Sequence, residues 1–303
     1  MYTRHFGLSE TPFSITPDTS YFHAFPHYQR ALNTLLVALR GGEGFIKITG
    51  EVGTGKTLLC RKFLSILGSS FITAYLPNPL LQPRGLLAAV AEELQLPGAR
   101  AMDEYQLTRE LNQCLMQLAA QGKRVLLCID EAQAMPLETL EALRLLTNLE
   151  TEKRKLLQIV LFGQPELDRK LEDPSIRQLN QRITFRYELG PLTRDETARY
   201  IRHRLKVAGR DDEVFDSRAQ AALFKASAGV PRLVNILAHK AMMLAFGEGK
   251  PRISAAHVRA AVADTPPATL ASGLAARRQR SLAWGSAAVL LLCLCSIAWM
   301  VYL

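Results

Sequence analysis

Eight residues near the amino terminus have the types and the spacing of a loop that wraps a phosphate chain. Residues 50–57 read GEVGTGKT and match the pattern GxxxxGK[ST] in full. Gly50, Gly53 and Gly55 would let the backbone curl until its N–H groups point at phosphate oxygens. A helix that begins within the loop would add a favourable dipole for an anion.

The last two residues of the loop carry the polar side chains of this predicted site. Lys56 would reach the β- and γ-phosphates of a nucleoside triphosphate, and the Thr57 hydroxyl would coordinate Mg²⁺. We therefore predict ATP and Mg²⁺ as cofactors. The residues predicted to bind them are Gly50, Glu51, Val52, Gly53, Thr54, Gly55, Lys56, Thr57, Leu58 and Asp130.

An acidic pair follows an apolar run further along the chain. Residues 125–129, VLLCI, read as a strand buried on both faces, and Asp130 and Glu131 come directly after it. Asp130 is placed to hold Mg²⁺ through water, and Glu131 to orient or deprotonate an attacking water. The alternative for Glu131 is an acidic residue at the start of a helix.

A third apolar run, residues 157–162 (LQIVLF), ends in Gly163-Gln164-Pro165. If this strand lies beside residues 125–129 and the apolar run 45–49 that precedes the loop, Gln164 can contact the γ-phosphate or the attacking water. The alternative is that Gln164 is a polar loop residue capping the helix that starts at Pro165.

These side chains need a sheet whose strand ends come together. Apolar runs alternate with helix-periodic segments, which predicts a parallel α/β sheet of five strands covered on both faces. The predicted strands are residues 45–49, 71–76, 125–129, 157–162 and 183–188, and the predicted helices are 26–40, 56–67, 84–95, 104–121, 136–149 and 165–180.

The pattern becomes wholly helical after Thr193. Helices are predicted at 194–208, 217–227, 231–247 and 254–262, which indicates a small helical lid hinged near Gly190-Pro191. The predicted domains are a nucleotide-binding α/β domain (1–190), the lid (191–262), a linker with a basic flank (263–281) and a terminal apolar segment (282–303).

The terminal segment has the length of a membrane span. As a helix, its 22 residues would cover about 33 Å, against a hydrocarbon core of about 30 Å. Trp284 lies near one end and Trp299 and Tyr302 near the other, as interfacial aromatics do. The alternative is a buried core helix, which needs no charge-free run of this length.

The formal net charge of +9 is explained in part by this topology. Arg277, Arg278 and Arg280 precede the apolar segment, so the positive-inside rule keeps the large amino-terminal part in the cytoplasm. The basic residues of 194–210 are interspersed with acids, as on a solvated helix face. Nucleic-acid binding is therefore the minority interpretation of the charge.

The order of these motifs resembles AAA+ ATPases with a P-loop nucleotide fold and a helical lid. More narrowly, the chain looks like the ExeA/GspA group of secretion ATPases over about residues 1–262. The segments that carry the resemblance are FGLSETPFSITPD (6–18), TGEVGTGKT (49–57), CIDEAQ (128–133), LEALRLLTNLE (140–150), FGQPEL (162–167), LNQRI (179–183) and GVPRLVN (229–235).

The resemblance implies roles for further residues. Arg182 matches an arginine finger that acts on the ATP of a neighbouring subunit, with Arg177 as the competing position. Arg232 matches the lid arginine that touches the γ-phosphate. Asn78 is compatible with a polar partner of the catalytic glutamate or with a turn before Pro79. Residues 12–17 are compatible with a cover over the adenine.

The resemblance also implies an activity and partners. We expect an ATP hydrolase that forms a homo-oligomer, as a ring, and that works with inner-membrane components of a type IV pilus of the mannose-sensitive haemagglutinin (MSHA) type or of a type II secretion apparatus. It would be a single-pass protein of the bacterial inner membrane. The alternatives are a DNA-associated switch similar to the transposition ATPases TniB and TnsC, and an adaptor that binds nucleotide with little turnover.

Overall fold

A computed structural model describes residues 2–147, 150–151 and 154–265 of the 303-residue chain. It divides into two compact units, one of residues 16–190 and one that joins the residues up to 15 with those from 191 onward. The predicted apolar span, its basic flank and most of the linker lie outside the described residues. Among the helices that are described, none has the length and apolar character needed to cross a membrane.

The unit of residues 16–190 is built on a parallel sheet. The strands of the chain are Phe45–Thr49 (β1), Phe71–Leu76 (β2), Arg124–Ile129 (β3), Glu150–Thr151 (β4), Arg154–Lys155 (β5), Leu157–Gly163 (β6) and Ile183–Glu188 (β7). Five of them form one sheet in the order β2–β3–β6–β1–β7, and every pair in it is parallel. This confirms the predicted five-stranded sheet, whereas the short antiparallel pair β4–β5 was not predicted.

The central strands of the sheet could be predicted from the sequence because their residues are buried. All residues of β1 and β6 are buried, as are those of β3 after its first residue. Strands covered by helices on both faces need continuous apolar runs, and these are the runs that the sequence shows. In the register, Thr49 pairs with Gly163 and Ile129 with Leu161, so the carboxyl ends of β1, β3 and β6 lie side by side.

Helices make up most of the remaining described chain. They are Tyr2–His5 (α1), Pro26–Gly41 (α2), Lys56–Ser65 (α3), Pro83–Glu93 (α4), Glu104–Ala120 (α5), Leu137–Leu146 (α6), Glu166–Leu171 (α7), Arg177–Arg182 (α8), Arg194–Val207 (α9), Ser217–Ser227 (α10), Pro231–Gly247 (α11) and Ala255–Ala263 (α12).

The single helix predicted over 165–180 was wrong. The structure has α7, a 3-10 turn at Pro174–Ile176, and α8 in its place. Proline has no N–H and disfavours the α conformation of the residue before it, and the Asp173 side chain accepts the Ser175 N–H at 2.9 Å. The break separates Arg177 and Arg182 from the helix that follows Gln164.

The second unit is helical from α9 to α12, as predicted for residues 191–262. The sequence placed residues 1–15 with the nucleotide-binding domain, but the structure groups them with this helical unit. The buried guanidinium of Arg204 donates to the carbonyl oxygens of Pro12 and Ser14, and Asn235 donates to the Ser14 carbonyl at 3.2 Å. Such side-chain contacts, over 190 to 221 positions, leave no periodic trace in a sequence.

Candidate functional site

Three strand ends meet at one edge of the sheet and carry most of the predicted site residues. The loop 50–57 follows β1, Asp130 follows β3, and Gln164 follows β6. The Gly50 N–H donates to the Gly163 carbonyl at 3.2 Å, which ties the start of the loop to the end of β6. The sequence prediction that these segments lie together therefore agrees with the sheet order.

The shape of the loop depends on glycine at two positions. A Cβ at position 50 would lie 2.6 Å from the Leu189 carbonyl oxygen. Gly55 has a φ of +92°, and a Cβ there would lie 2.9 Å from the hydroxyl of Tyr28, which donates to the Thr54 carbonyl. Both positions exclude a side chain, so the backbone forms an open cradle in front of α3.

Lys56 lies within this cradle and is only 5% exposed. Its Nζ donates to the carbonyl oxygens of Gly50 at 2.7 Å and Glu51 at 3.0 Å. Burial lowers the pKa of Lys56, while the nearby carboxylates of Glu131 and Asp130 act in the opposite direction. A buried ammonium at the first residue of α3 is well placed to attract an anion.

Thr57 and Asp130 form a pair beside the cradle. The Thr57 hydroxyl donates to Oδ2 of Asp130 at 2.6 Å, and the Glu131 N–H donates to Oδ1 at 3.0 Å. Burial raises the pKa of Asp130, which these two hydrogen bonds oppose. The Tyr75 hydroxyl lies 3.5 Å from Oδ2, and burial together with the Asp130 charge raises the pKa of Tyr75 to about 12.

The donor set of this site fits a phosphate chain with Mg²⁺. A hydroxyl and a carboxylate are oxygen ligands of the kind that Mg²⁺ prefers, and Mg²⁺ commonly takes its remaining ligands from phosphate and water. The described residues contain no cluster of three or more His, Cys, Asp or Glu side chains that could hold a metal alone. Thr57 and Asp130 are thus the residues that would hold Mg²⁺ together with a bound nucleotide.

Glu131 faces the same region from an unusual backbone conformation. Its φ of +53° and ψ of 36° are left-handed, which a non-glycine residue seldom adopts. Its Oε2 accepts hydrogen bonds from the side-chain amides of Gln164, at 3.0 Å, and Gln133. The sequence prediction included Gln164 but missed Gln133, although Gln133 stands in the quoted motif CIDEAQ.

Three other predicted residues, Asn78, Arg177 and Arg182, form no hydrogen bond with the loop 50–57 or the Glu131 carboxylate in the described part of the chain. Asn78 accepts the Leu80 N–H at 3.4 Å, in agreement with the turn alternative, and the partners of Glu131 are the two glutamines. The Arg182 guanidinium donates to the Arg144 carbonyl at 3.2 Å and the Thr147 hydroxyl at 2.9 Å, at the end of α6. Arg177 is exposed at the start of α8.

The remaining predicted residues lie in the helical unit. Arg232 is exposed on the first turn of α11, directly after Pro231. Phe13 is 2% exposed and packs edge-on against Phe215, with ring centroids 5.8 Å apart. The Phe13 ring is therefore part of a core, and a cover over the adenine by residues 12–17 stays a prediction.

Comparison with known proteins identifies the kind of domain. Residues 39–171 match a family model described as an AAA domain. The chain is also 45% identical over 253 residues to general secretion pathway protein A of Aeromonas hydrophila. Residues 39–171 of this chain are therefore similar to AAA domains, and the chain is similar to that secretion protein over 253 residues. The alignment covers 84% of this chain and 46% of the relative, so this chain spans about half the length of the protein it matches.

Solved structures show the same fold at low sequence identity. The Cdc6p structure from Pyrobaculum aerophilum has a TM-score of 0.63 at 18% identity and covers 80% of this chain and 67% of that one. The ORC2 protein of Aeropyrum pernix, in ADPNP and ADP complexes, has a TM-score of 0.60 at 18% identity, with 82% and 72% covered. The Thermotoga maritima RuvB branch migration motor has a TM-score of 0.55 at 18% identity, again with 82% and 72% covered. At this identity, these likenesses show the fold of the chain alone.

Proposed function

We propose that this chain binds ATP with Mg²⁺ and hydrolyses it to ADP and phosphate. The observation that carries the proposal is the contact between the Thr57 hydroxyl and the Asp130 carboxylate at 2.6 Å, formed beside a glycine cradle that holds a buried lysine. Each of these parts has a use in phosphoryl transfer, and few other reactions need all of them.

Each side chain has a separate task in this proposal. Lys56 leaves the carbonyl oxygens of its own loop and donates to the β- and γ-phosphates. Thr57 and Asp130 hold Mg²⁺, which neutralises charge on the phosphate oxygens when it is bound. The Glu131 carboxylate accepts a proton from the attacking water or orients that water, and Gln164 keeps the carboxylate in place.

Two arginines complete the proposed site. An arginine from a neighbouring subunit would stabilise charge on the transferring phosphoryl, which makes a homo-oligomer, as a ring, part of the proposal. Arg177 fits this role better than Arg182, because the Arg182 guanidinium already holds the end of α6 in its own chain. Arg232 is proposed as the lid arginine that responds to the γ-phosphate.

The cellular role is proposed from homology and from the predicted span. The relative is named as a general secretion pathway protein. The motif set also resembles that of MshM, an ATPase of MSHA pilus biogenesis. We place the chain at the bacterial inner membrane through residues 282–303, with the ATPase in the cytoplasm, where it drives or regulates assembly of a pilus or a type II secretion apparatus.

Two assays test the proposal. The purified chain should release phosphate from ATP only with Mg²⁺, and the absence of release at any protein concentration would contradict the proposed reaction. For the cellular role, cross-linking in membranes with the Glu131→Gln variant under ATP should recover pilus or secretion components. Recovery of DNA instead would favour the transposition-type alternative.

A further inference from the structure

We propose that Gln133 is a positioning residue for Glu131, and that its side-chain amide sets the Glu131 carboxylate and the Gln164 main chain in one fixed geometry. The inference rests on the proposed function, since it concerns the group that would handle the attacking water. It adds a residue to which the sequence analysis assigned no role.

Both ends of the Gln133 amide are in use. Its Nε2 donates to Oε2 of Glu131, and its Oε1 accepts the main-chain N–H of Gln164 at 2.9 Å. A glutamine can do both at once, because its side chain carries a carbonyl acceptor and an NH₂ donor. One side chain therefore joins the residue after Asp130 to the residue after β6.

A third hydrogen bond closes the arrangement. The Gln164 side chain donates to the same Oε2 of Glu131 at 3.0 Å. Gln133, Glu131 and Gln164 thus form a closed triangle of hydrogen bonds. Because both amides use Oε2, the orientation of the whole carboxylate is fixed, and Oε1 is the oxygen that would meet a water.

The surrounding backbone is shaped for this triangle. A Cβ at Gly163 would lie 2.7 Å from Leu167 and 3.3 Å from Oε1 of Gln133, so glycine permits the close approach of the two segments. The turn that carries Gln133 is anchored by Ala132, which is fully buried, and by Lys170, which donates to the Met135 carbonyl at 2.8 Å. A Glu131 backbone in the left-handed region, at φ +53°, turns its side chain toward this anchored segment.

Two substitutions separate the two halves of the Gln133 amide. Gln133→Met keeps the length of the side chain and removes both hydrogen bonds. Gln133→Glu keeps an acceptor for the Gln164 N–H but places a second carboxylate beside Glu131 in place of a donor. Gln113→Met makes the same chemical change as the first variant at an exposed position on α5 and serves as the matched control.

The first measurement is amide hydrogen exchange at Gln164 in the nucleotide-free full-length chain. Exchange should be at least about tenfold faster in Gln133→Met, because an amide without its acceptor opens more often. It should be unchanged in Gln133→Glu and in Gln113→Met. This readout depends on the contact alone and is independent of turnover.

The second measurement separates turnover from binding. In both Gln133 variants kcat should fall roughly tenfold to a hundredfold, while the Kd for ATP stays within about twofold of the parent value. The double variant Gln133→Met/Glu131→Gln should have the same kcat as Glu131→Gln alone, because both substitutions act through one carboxylate. If the methionine variant does not fold, the glutamate variant still tests the effect on kcat.

The outcomes distinguish this inference from the proposed function. Unchanged Gln164 exchange in Gln133→Met, or a kcat within about twofold of the parent in both variants, would overturn the positioning role. A parent chain that binds no ATP and releases no phosphate would instead reject the proposed function, and the exchange rates would still decide whether Gln133 holds Gln164.

Discussion

The Thr57 hydroxyl lies 2.6 Å from Oδ2 of Asp130, although 73 positions separate the two residues in the chain. The contact exists because β1 and β3 both lie next to β6, so that their following loops emerge at one edge of the sheet. The fold of the chain by itself therefore brings together Thr57 and Asp130, the two residues proposed to hold Mg²⁺.

Removing either of these oxygen ligands should abolish the metal dependence of the site. In Thr57→Val and Asp130→Asn, Mg²⁺ should no longer increase turnover, and kcat should fall by at least about a hundredfold because the phosphate charge is left unneutralised. Thr108→Val, on an exposed face of α5, is the matched control and should behave as the parent. A titration of phosphate release against Mg²⁺ makes the comparison, and a parent-like Mg²⁺ response in Asp130→Asn would contradict it.

The buried ammonium of Lys56 should be needed for binding itself. Charge-assisted hydrogen bonds contribute about 1.5–3 kcal/mol each, so Lys56→Ala should weaken ATP binding roughly tenfold to 150-fold. Isothermal titration calorimetry measures the affinity, with Lys225→Ala at an exposed position on α10 as the control. ATP affinity equal to that of the parent would remove Lys56 from the phosphate site.

Gly55 should tolerate no side chain. A Cβ there would lie 2.9 Å from the Tyr28 hydroxyl, at a backbone φ of +92°, and conformations of this kind cost about 1–3 kcal/mol in other residues. Gly55→Ala should therefore lower both the melting temperature and the ATP affinity. Gly68→Ala is the control, because a Cβ at position 68 meets nothing within 4 Å. Equal effects of the two substitutions would show that the cradle does not require glycine at position 55.

Arg182 and Arg177 should differ in what they support. Arg182→Ala should destabilise the fold by about 1–3 kcal/mol, since the Arg144 carbonyl and the Thr147 hydroxyl lose a charged donor. Arg177→Ala should change the free energy of unfolding by less than about 0.5 kcal/mol. Chemical denaturation followed by circular dichroism distinguishes the two variants.

Mixing subunits tests whether an arginine finger acts on the ATP of a neighbouring subunit. A mixture of Arg177→Ala and Lys56→Ala subunits should recover part of the activity that each variant lacks alone. The Arg177→Ala subunit supplies an intact ATP site, and the Lys56→Ala subunit supplies an intact arginine. Recovery with Arg182→Ala in place of Arg177→Ala would return the role to Arg182.

The sheet could be predicted from the sequence because its central strands are buried on both faces. Continuous apolar runs such as residues 125–129 are typical of strands in this position, and the five predicted strands differ from the observed ones by at most one residue at an end. The residues of the loop 50–57 could also be predicted, since the pattern GxxxxGK[ST] places residue types with defined tasks at a fixed spacing.

Two features that could not be predicted depend on contacts between residues that are distant in the sequence: the position of the amino-terminal segment and the role of Gln133. Arg204 holds the carbonyl oxygens of Pro12 and Ser14, and this places the amino-terminal segment with the helical unit. Gln133 had no predicted role because its function depends on the Gln164 N–H, 31 positions away. In the predicted helix 165–180, the apolar periodicity continued through Pro174 and concealed the break.

The proposal that this chain hydrolyses ATP through Glu131 is tested most directly by comparing ATP binding and phosphate release in Glu131→Gln. The substitution keeps the size of the side chain and removes its ability to accept a proton. With Glu138→Gln at an exposed position on α6 as the control, we predict a Kd for ATP within about twofold of the parent and a kcat reduced by roughly a hundredfold or more. Phosphate release by Glu131→Gln at the parent rate would contradict the account.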